Sequence, residues 1–115
     1  MKKIYVLSLM AIVSLTLVYC SASKKAARVP KLTYTANLAT IISTNCSPCH
    51  IPAKGGNKKP YDNYANVQMD IDEIIRRIEL KPTDRGFMPF KKTEQLPAEV
   101  IAAFKQWKAD GMLEN

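Results

Sequence analysis

Histidine is almost missing from this 115-residue chain: His50 is the only one. Cysteine is nearly as scarce, with Cys20, Cys46 and Cys49 as the full set. A structural zinc site takes four Cys or His ligands, commonly as two spaced pairs. Beyond Cys46, Cys49 and His50 the chain offers only Cys20 toward a second pair, which argues against zinc. No βαβ pattern surrounds the cysteines, so a thioredoxin-like dithiol lacks its usual context. Internal repeats, strand ladders and low-complexity tracts are also lacking. Negative charge is in deficit, 10 acidic residues against 17 basic ones, for a formal net charge of +7. The basic residues are scattered and form no aromatic-interleaved stripe, which speaks against a nucleic-acid surface. No general base or nucleophile stands out, and an enzyme is not expected. Long apolar runs are absent except for one at the N-terminus.

That run defines the first segment. Met1-Lys2-Lys3 is a basic opening, and Ile4 to Tyr19 is unbroken apolar and small hydroxyl sequence. Together they have the pattern of a secretory signal, residues 1–19. The run closes as Leu17-Val18-Tyr19-Cys20, which resembles a bacterial lipobox, with Leu17 and Cys20 where that motif wants them. The resemblance implies lipidation of Cys20. Tyr19 departs from it, since the residue before the Cys is usually Gly, Ala or Ser. Two other outcomes stay open: cleavage after Ser23, or an uncleaved anchor, because Ile4 to Ala22 is nearly long enough to span a bilayer. All three export the body to the periplasmic side of a bacterial membrane. Residues 20–31 are short and polar, with Lys24, Lys25 and Arg28, and read as a flexible tether.

The remaining 32–115 suit one small domain with a thin core. Hydrophobic content of 47% and charged content of 23% are ordinary for a globular chain. Periodicity predicts helices only. The first runs from about Thr35 to Cys46, with Leu38, Ile41 and Ile42 as its apolar stripe. Ile51 to Pro60 is a loop punctuated by Pro52, Gly55, Gly56, Asn57 and Pro60. Asp70 to Leu80 is amphipathic, with Ile71, Ile74, Ile75 and Ile78 on one face. Lys81 to Leu96 lacks periodicity. Pro97 to Asp110 forms the last helix, whose core face is Val100, Ile101, Phe104 and Trp107. Pro97 suits its first position and Gly111 its end.

One stretch carries chemistry. Cys46-Ser47-Pro48-Cys49-His50 reads C-x-x-C-H, the attachment signature of a c-type haem. Two thiols at this spacing can each bond one vinyl group, and the next imidazole can reach the iron. A second signal is Gly86-Phe87-Met88-Pro89-Phe90, a Met followed by Pro in the loop before the last helix. On these two motifs and the helix order, the chain resembles the class I cytochromes c from about Thr33 to Gly111. The resemblance implies an all-α, small cytochrome c-type fold of three to four helices around one covalent haem. It implies that Tyr61 to Gln68 is a short middle helix and that the first and last helices cross.

It further implies a role for each site residue. Cys46 and Cys49 would hold the haem, with His50 and Met88 as axial iron ligands. Met69 and Met112 are the competitors of Met88, one at a helix start and one beyond the last helix. A proline carbonyl in the loop would accept the His50 Nδ1–H, with Pro60 the candidate and Pro52 its rival. The implied function is one-electron transfer. The alternative is a haem sensor or haem enzyme with an open distal site. Setting Lys2 and Lys3 aside leaves +5, and two ionised propionates would leave +3. That excess suits redox partner proteins with acidic docking surfaces. Lys54, Lys58 and Lys91 are candidates to steer them.

Overall fold

The computed structural model describes residues 29–115. The signal segment, Cys20 and residues 20–28 of the tether lie outside the described residues. Within them the protein is helical, with three α-helices and no strand.

The first helical stretch begins at Thr33, whose hydroxyl accepts the Ala36 N–H at 3.2 Å. Such a cap satisfies one of the amides that a helix start leaves without a partner. The opening turn, Tyr34–Leu38, is wide and π-type. The Leu38 N–H reaches five residues back to Thr33 O at 3.3 Å. The wide turn passes directly into α1 (Ala39–Asn45). Its last turn closes where the Cys46 N–H donates to Ile42 O at 2.8 Å. Helix α1 therefore delivers the chain straight into Cys46.

A short 3₁₀ turn follows at Pro52–Lys54, closed by Gly55 in the left-handed region at φ +82°. Helix α2 (Tyr64–Glu79) starts at Asn63, whose side chain accepts the Asn66 N–H. The sequence predicts two helices here, with a break near Met69; the chain forms one. Val67 and Ile71 are four residues apart and both buried, so the apolar face continues through the expected break. Nothing between them interrupts hydrogen bonding. Met69 lies on the solvent side, 75% exposed.

Helix α3 (Ala98–Ala109) has Pro97 at its N-cap, one position outside the helix. It ends with Gly111 at φ +96°, a conformation that favours glycine. The Met112 N–H then folds back to Trp107 O at 2.9 Å. Helix α3 packs against α2 and against the opening turn of the first helical stretch. The core at this crossing is Leu38, Ile42, Phe104 and Trp107, all essentially without solvent exposure. Tyr64 packs edge-on against Trp107 and Tyr34 lies tilted to it, with ring centroids 6.2 and 6.4 Å from it. The Trp107 Nε1–H donates to Leu113 O at 2.8 Å, so the one polar atom of this large side chain is satisfied. Two backbone bonds from Tyr34 and Thr35 to Leu113 and Glu114 fasten the C-terminus beside the N-terminal turn. The packed end of the described domain is thus where α3 meets the Tyr34–Leu38 turn. The C-x-x-C-H segment leaves α1 at the other end.

Candidate functional site

Helix α1, the loop after it, helix α2 and the Lys81–Leu96 segment enclose a cleft of about 940 Å³. Cys46, Ser47, Cys49 and His50 line it from the end of α1, and Ile74 and Ile78 from α2. Phe87, Met88, Pro89 and Leu96 close it from the long loop. All four sequence-predicted ligands and attachment residues therefore face one space. Met69 and Met112 do not line it; Met112 packs at the opposite end, where its carbonyl accepts the Tyr64 O–H.

Local geometry explains how His50 is held. The His50 N–H donates to Cys46 O at 3.0 Å, continuing the turn of the helix through the motif. The loop then doubles back: Lys58 N–H donates to Cys49 O at 3.0 Å, and Tyr61 N–H to His50 O at 2.9 Å. This register sets the Lys59 carbonyl 2.7 Å from His50 Nδ1. A carbonyl only accepts, so Nδ1 carries the proton and Nε2 of the neutral ring keeps its lone pair. The expected acceptor, Pro60, is corrected by one residue. Its carbonyl instead accepts from Asn66 Nδ2 at 3.0 Å, at the start of α2. Pro52 sits in the 3₁₀ turn and accepts the Gly55 N–H.

Three residues that the sequence did not single out complete the surroundings. The Tyr61 ring stacks on the His50 imidazole, with centroids 4.5 Å apart and planes within 9°. Its hydroxyl donates to Asp70 Oδ2 at 3.0 Å, and Lys59 Nζ donates to Asp70 Oδ1 at 2.6 Å. Gly56 lies against the motif itself. A Cβ there would fall within 2.6 Å of Cys49 O and closer still to Pro48 O. Only glycine lets the loop return this near the motif backbone. Gly56 was legible as loop punctuation, but the close approach was not.

Electrostatics follow burial. The Cys46 thiol is pushed up to about 11 by burial, so it is protonated at neutral pH. The Tyr61 hydroxyl is raised, first by burial and then by its bond to Asp70. Asp70 is lowered, chiefly by the Lys59 hydrogen bond. Lys58, Arg85, Lys91 and Lys92 line the cleft and make no ion pair among the described residues. Lys54 is elsewhere; its ammonium donates to Ser43 O at 3.3 Å.

These residues fit a haem. Two free thiols, an imidazole with a free Nε2 and a thioether share one cleft. Its volume is at the upper end of the roughly 300–1,000 Å³ typical of cofactor sites. Its walls are mostly apolar, and Ser47 Oγ is shielded from solvent and lacks a hydrogen-bond partner. Among the described residues, no three His, Cys, Asp or Glu side chains gather as a chelating group. No model of a known protein family, no curated protein and no solved structure matches the chain.

Replacing Gly56 by Ala is expected to destabilise the protein by about 1–3 kcal/mol, the usual cost of overpacking against atoms that cannot give. In a domain of this size that lowers the thermal midpoint by about 4–8 °C per kcal/mol. Gly55→Ala is the comparison. It meets nothing within 4 Å and carries only left-handed strain of about 1 kcal/mol. Equal midpoints for the two variants would contradict the close approach.

Proposed function

We propose that this chain is an exported one-electron carrier of the cytochrome c kind, with one covalent haem c. Cys46 and Cys49 hold the haem, and His50 and Met88 ligate its iron. The observation that carries the reading is the convergence of these four side chains on one apolar cleft. Nothing about the helices alone separates this fold from other small α-helical ones.

The bound haem supplies a one-electron iron couple. The chain supplies the rest. Cys46 and Cys49, both free thiols, would hold the haem through thioether bonds. The Lys59 carbonyl keeps the Nδ1 proton of His50 in place, which fixes the ring and strengthens Nε2 as a donor. Met88 contributes a soft, neutral thioether, which favours the reduced state and raises the potential. With His50 and Met88 both ligating the iron, no open position would remain for a substrate. Ile74, Ile78, Phe87 and Leu96 give the cleft apolar walls that would limit water access.

The unpaired basic residues at the cleft suit docking of acidic redox partners. Lys58, Arg85, Lys91 and Lys92 there raise the local positive potential. Phe90, 67% exposed among them, adds apolar contact area. Of the three lysines expected from sequence to steer partners, Lys58 and Lys91 line the cleft and Lys54 does not.

The N-terminal reading is lipid attachment at Cys20 on the periplasmic side of the membrane. No described helix is long and apolar enough to cross a bilayer, and Cys20 lies outside the described residues. Cys20→Ala is expected to change the mature mass and to move the protein from the membrane to the soluble fraction. A native protein that starts at Lys24 and carries no lipid contradicts this.

The function is tested by the visible spectrum of the reduced protein, exported alongside haem-attachment machinery. A sharp low-spin c-type spectrum, unchanged by carbon monoxide, is expected. A haem-free product overturns the proposal. Rapid carbon monoxide binding moves the sensor or enzyme reading ahead.

A further inference from the structure

The two groups that touch the His50 ring are both tied to a single carboxylate. Lys59 provides the carbonyl on Nδ1, and its ammonium bonds Asp70 Oδ1 at 2.6 Å. Tyr61 provides the stacked ring, and its hydroxyl bonds Asp70 Oδ2 at 3.0 Å. Asp70 sits on α2, whose neighbour Ile71 is buried in the core, so the carboxylate is fixed to a rigid element. The loop that carries Lys59 and Tyr61 has no regular structure of its own. Its backbone is otherwise held by the Lys58 N–H bond to Cys49 O, the Tyr61 N–H bond to His50 O, the Asn66 Nδ2 bond to Pro60 O and a long bond of 3.3 Å from Tyr34 Oη to Tyr61 O, none of which touches the Lys59 or Tyr61 side-chain tips.

We propose that Asp70 is a positioning residue for the iron ligand: it braces Lys59 and Tyr61 and so sets how firmly His50 is held. The inference rests on the haem reading above and deepens it. An exposed lysine–aspartate pair taken alone contributes little to stability. Here the pair is 43% and 21% exposed, and the carboxylate spends its second oxygen on a half-buried tyrosine. Both arms end on the same imidazole. Loosening either arm lengthens the Nδ1–H bond, makes the ring a weaker donor and leaves the ferric state less stabilised. The midpoint potential then rises.

Sign separates this brace from a simple charge effect. Lys59→Ala removes a positive charge, which by field alone lowers the potential, whereas loss of the brace raises it. High salt screens the exposed charge and leaves the brace. Tyr61→Phe changes no charge and keeps the stack, but cuts one arm. The experiment measures the midpoint potential at high salt and the exchange rate of the His50 Nδ1 proton in the reduced holoprotein. Both variants are expected to raise the potential and to speed exchange about tenfold, the size of one hydrogen bond's net contribution. Lys59→Arg restores both. The double variant Lys59→Ala/Asp70→Ala changes exchange little beyond Asp70→Ala alone, because removing the carboxylate already cuts both arms. A normal holoprotein in which Tyr61→Phe leaves potential and exchange unaltered overturns the brace alone. So does a lower potential in Lys59→Ala with unchanged exchange. A wild-type protein without covalent haem overturns the haem reading, and this inference with it.

Discussion

Replacing Cys46 and Cys49 together by Ala is expected to abolish retention of haem through acid–organic extraction, and wild type is expected to keep it. Extraction strips a haem held by coordination alone, because acid protonates His50 and organic solvent dissolves the apolar cleft. Only carbon–sulfur bonds survive both. The effect is therefore near complete rather than graded. Each single variant leaves one possible thioether, and partial retention follows. A second consequence lies in the fold. The cleft of about 940 Å³ sits between α2 and the long loop, and a body under a hundred residues has a thin core. Ile74, Ile78 and Phe87 line that cleft, where a bound cofactor would add apolar contacts. A ligand that binds only the folded state stabilises it by mass action, and a permanent tether is the limiting case. The double variant should thus unfold at a lower temperature, by about 4–8 °C for each kcal/mol lost. Wild-type haem that extracts freely would falsify the attachment.

Met88→Ala is the second large effect. Met88 is half-buried, and its N–H donates to Arg77 O at 3.2 Å on α2. Gln95 adds two bonds from its side chain to Glu79 O and Leu80 O, at 2.9 and 2.8 Å. The loop is therefore fastened to the end of α2 through the Met88 backbone and again at Gln95, and the thioether can be lost without unfolding the segment. Truncation removes a soft ligand that favours ferrous iron. The potential should fall by about 100 mV or more, within the roughly 0.8 V span that axial ligation commands. Carbon monoxide should bind readily to the opened position. The far-red charge-transfer band of ferric iron–Met ligation should vanish. Met69→Ala and Met112→Ala should do none of these, since neither residue lines the cleft. Wild type that lacks the band and binds carbon monoxide as fast as Met88→Ala rules out the Met88 ligand and favours the sensor or enzyme alternative.

Helix content was readable because the signals are local. Leu38, Ile42, Phe104 and Trp107 recur at helical spacing and all are buried. The two-helix reading of residues 61–80 failed for a related reason. It followed a family pattern where the local signal, Val67 to Ile71, pointed to continuity. At the site, the chemistry-bearing residues stood out by type and spacing: one His, two neighbouring Cys and one Met–Pro. The residues that position them did not. Whether Lys59 or Pro60 faces His50 depends on loop register, which here is set by two backbone bonds to Cys49 O and His50 O. No side-chain pattern encodes that choice. Tyr61 and Asp70 are likewise nine apart in sequence and meet only because α2 starts where it does.

The central claim is a covalent haem on Cys46 and Cys49 beside His50. The most direct measurement is the mass of the proteolytic peptide that spans Cys46 to His50, taken from exported protein under denaturing conditions. The account predicts one peptide heavier by a single haem, with both thiols resistant to alkylation. A peptide of unmodified mass whose two cysteines alkylate freely contradicts it.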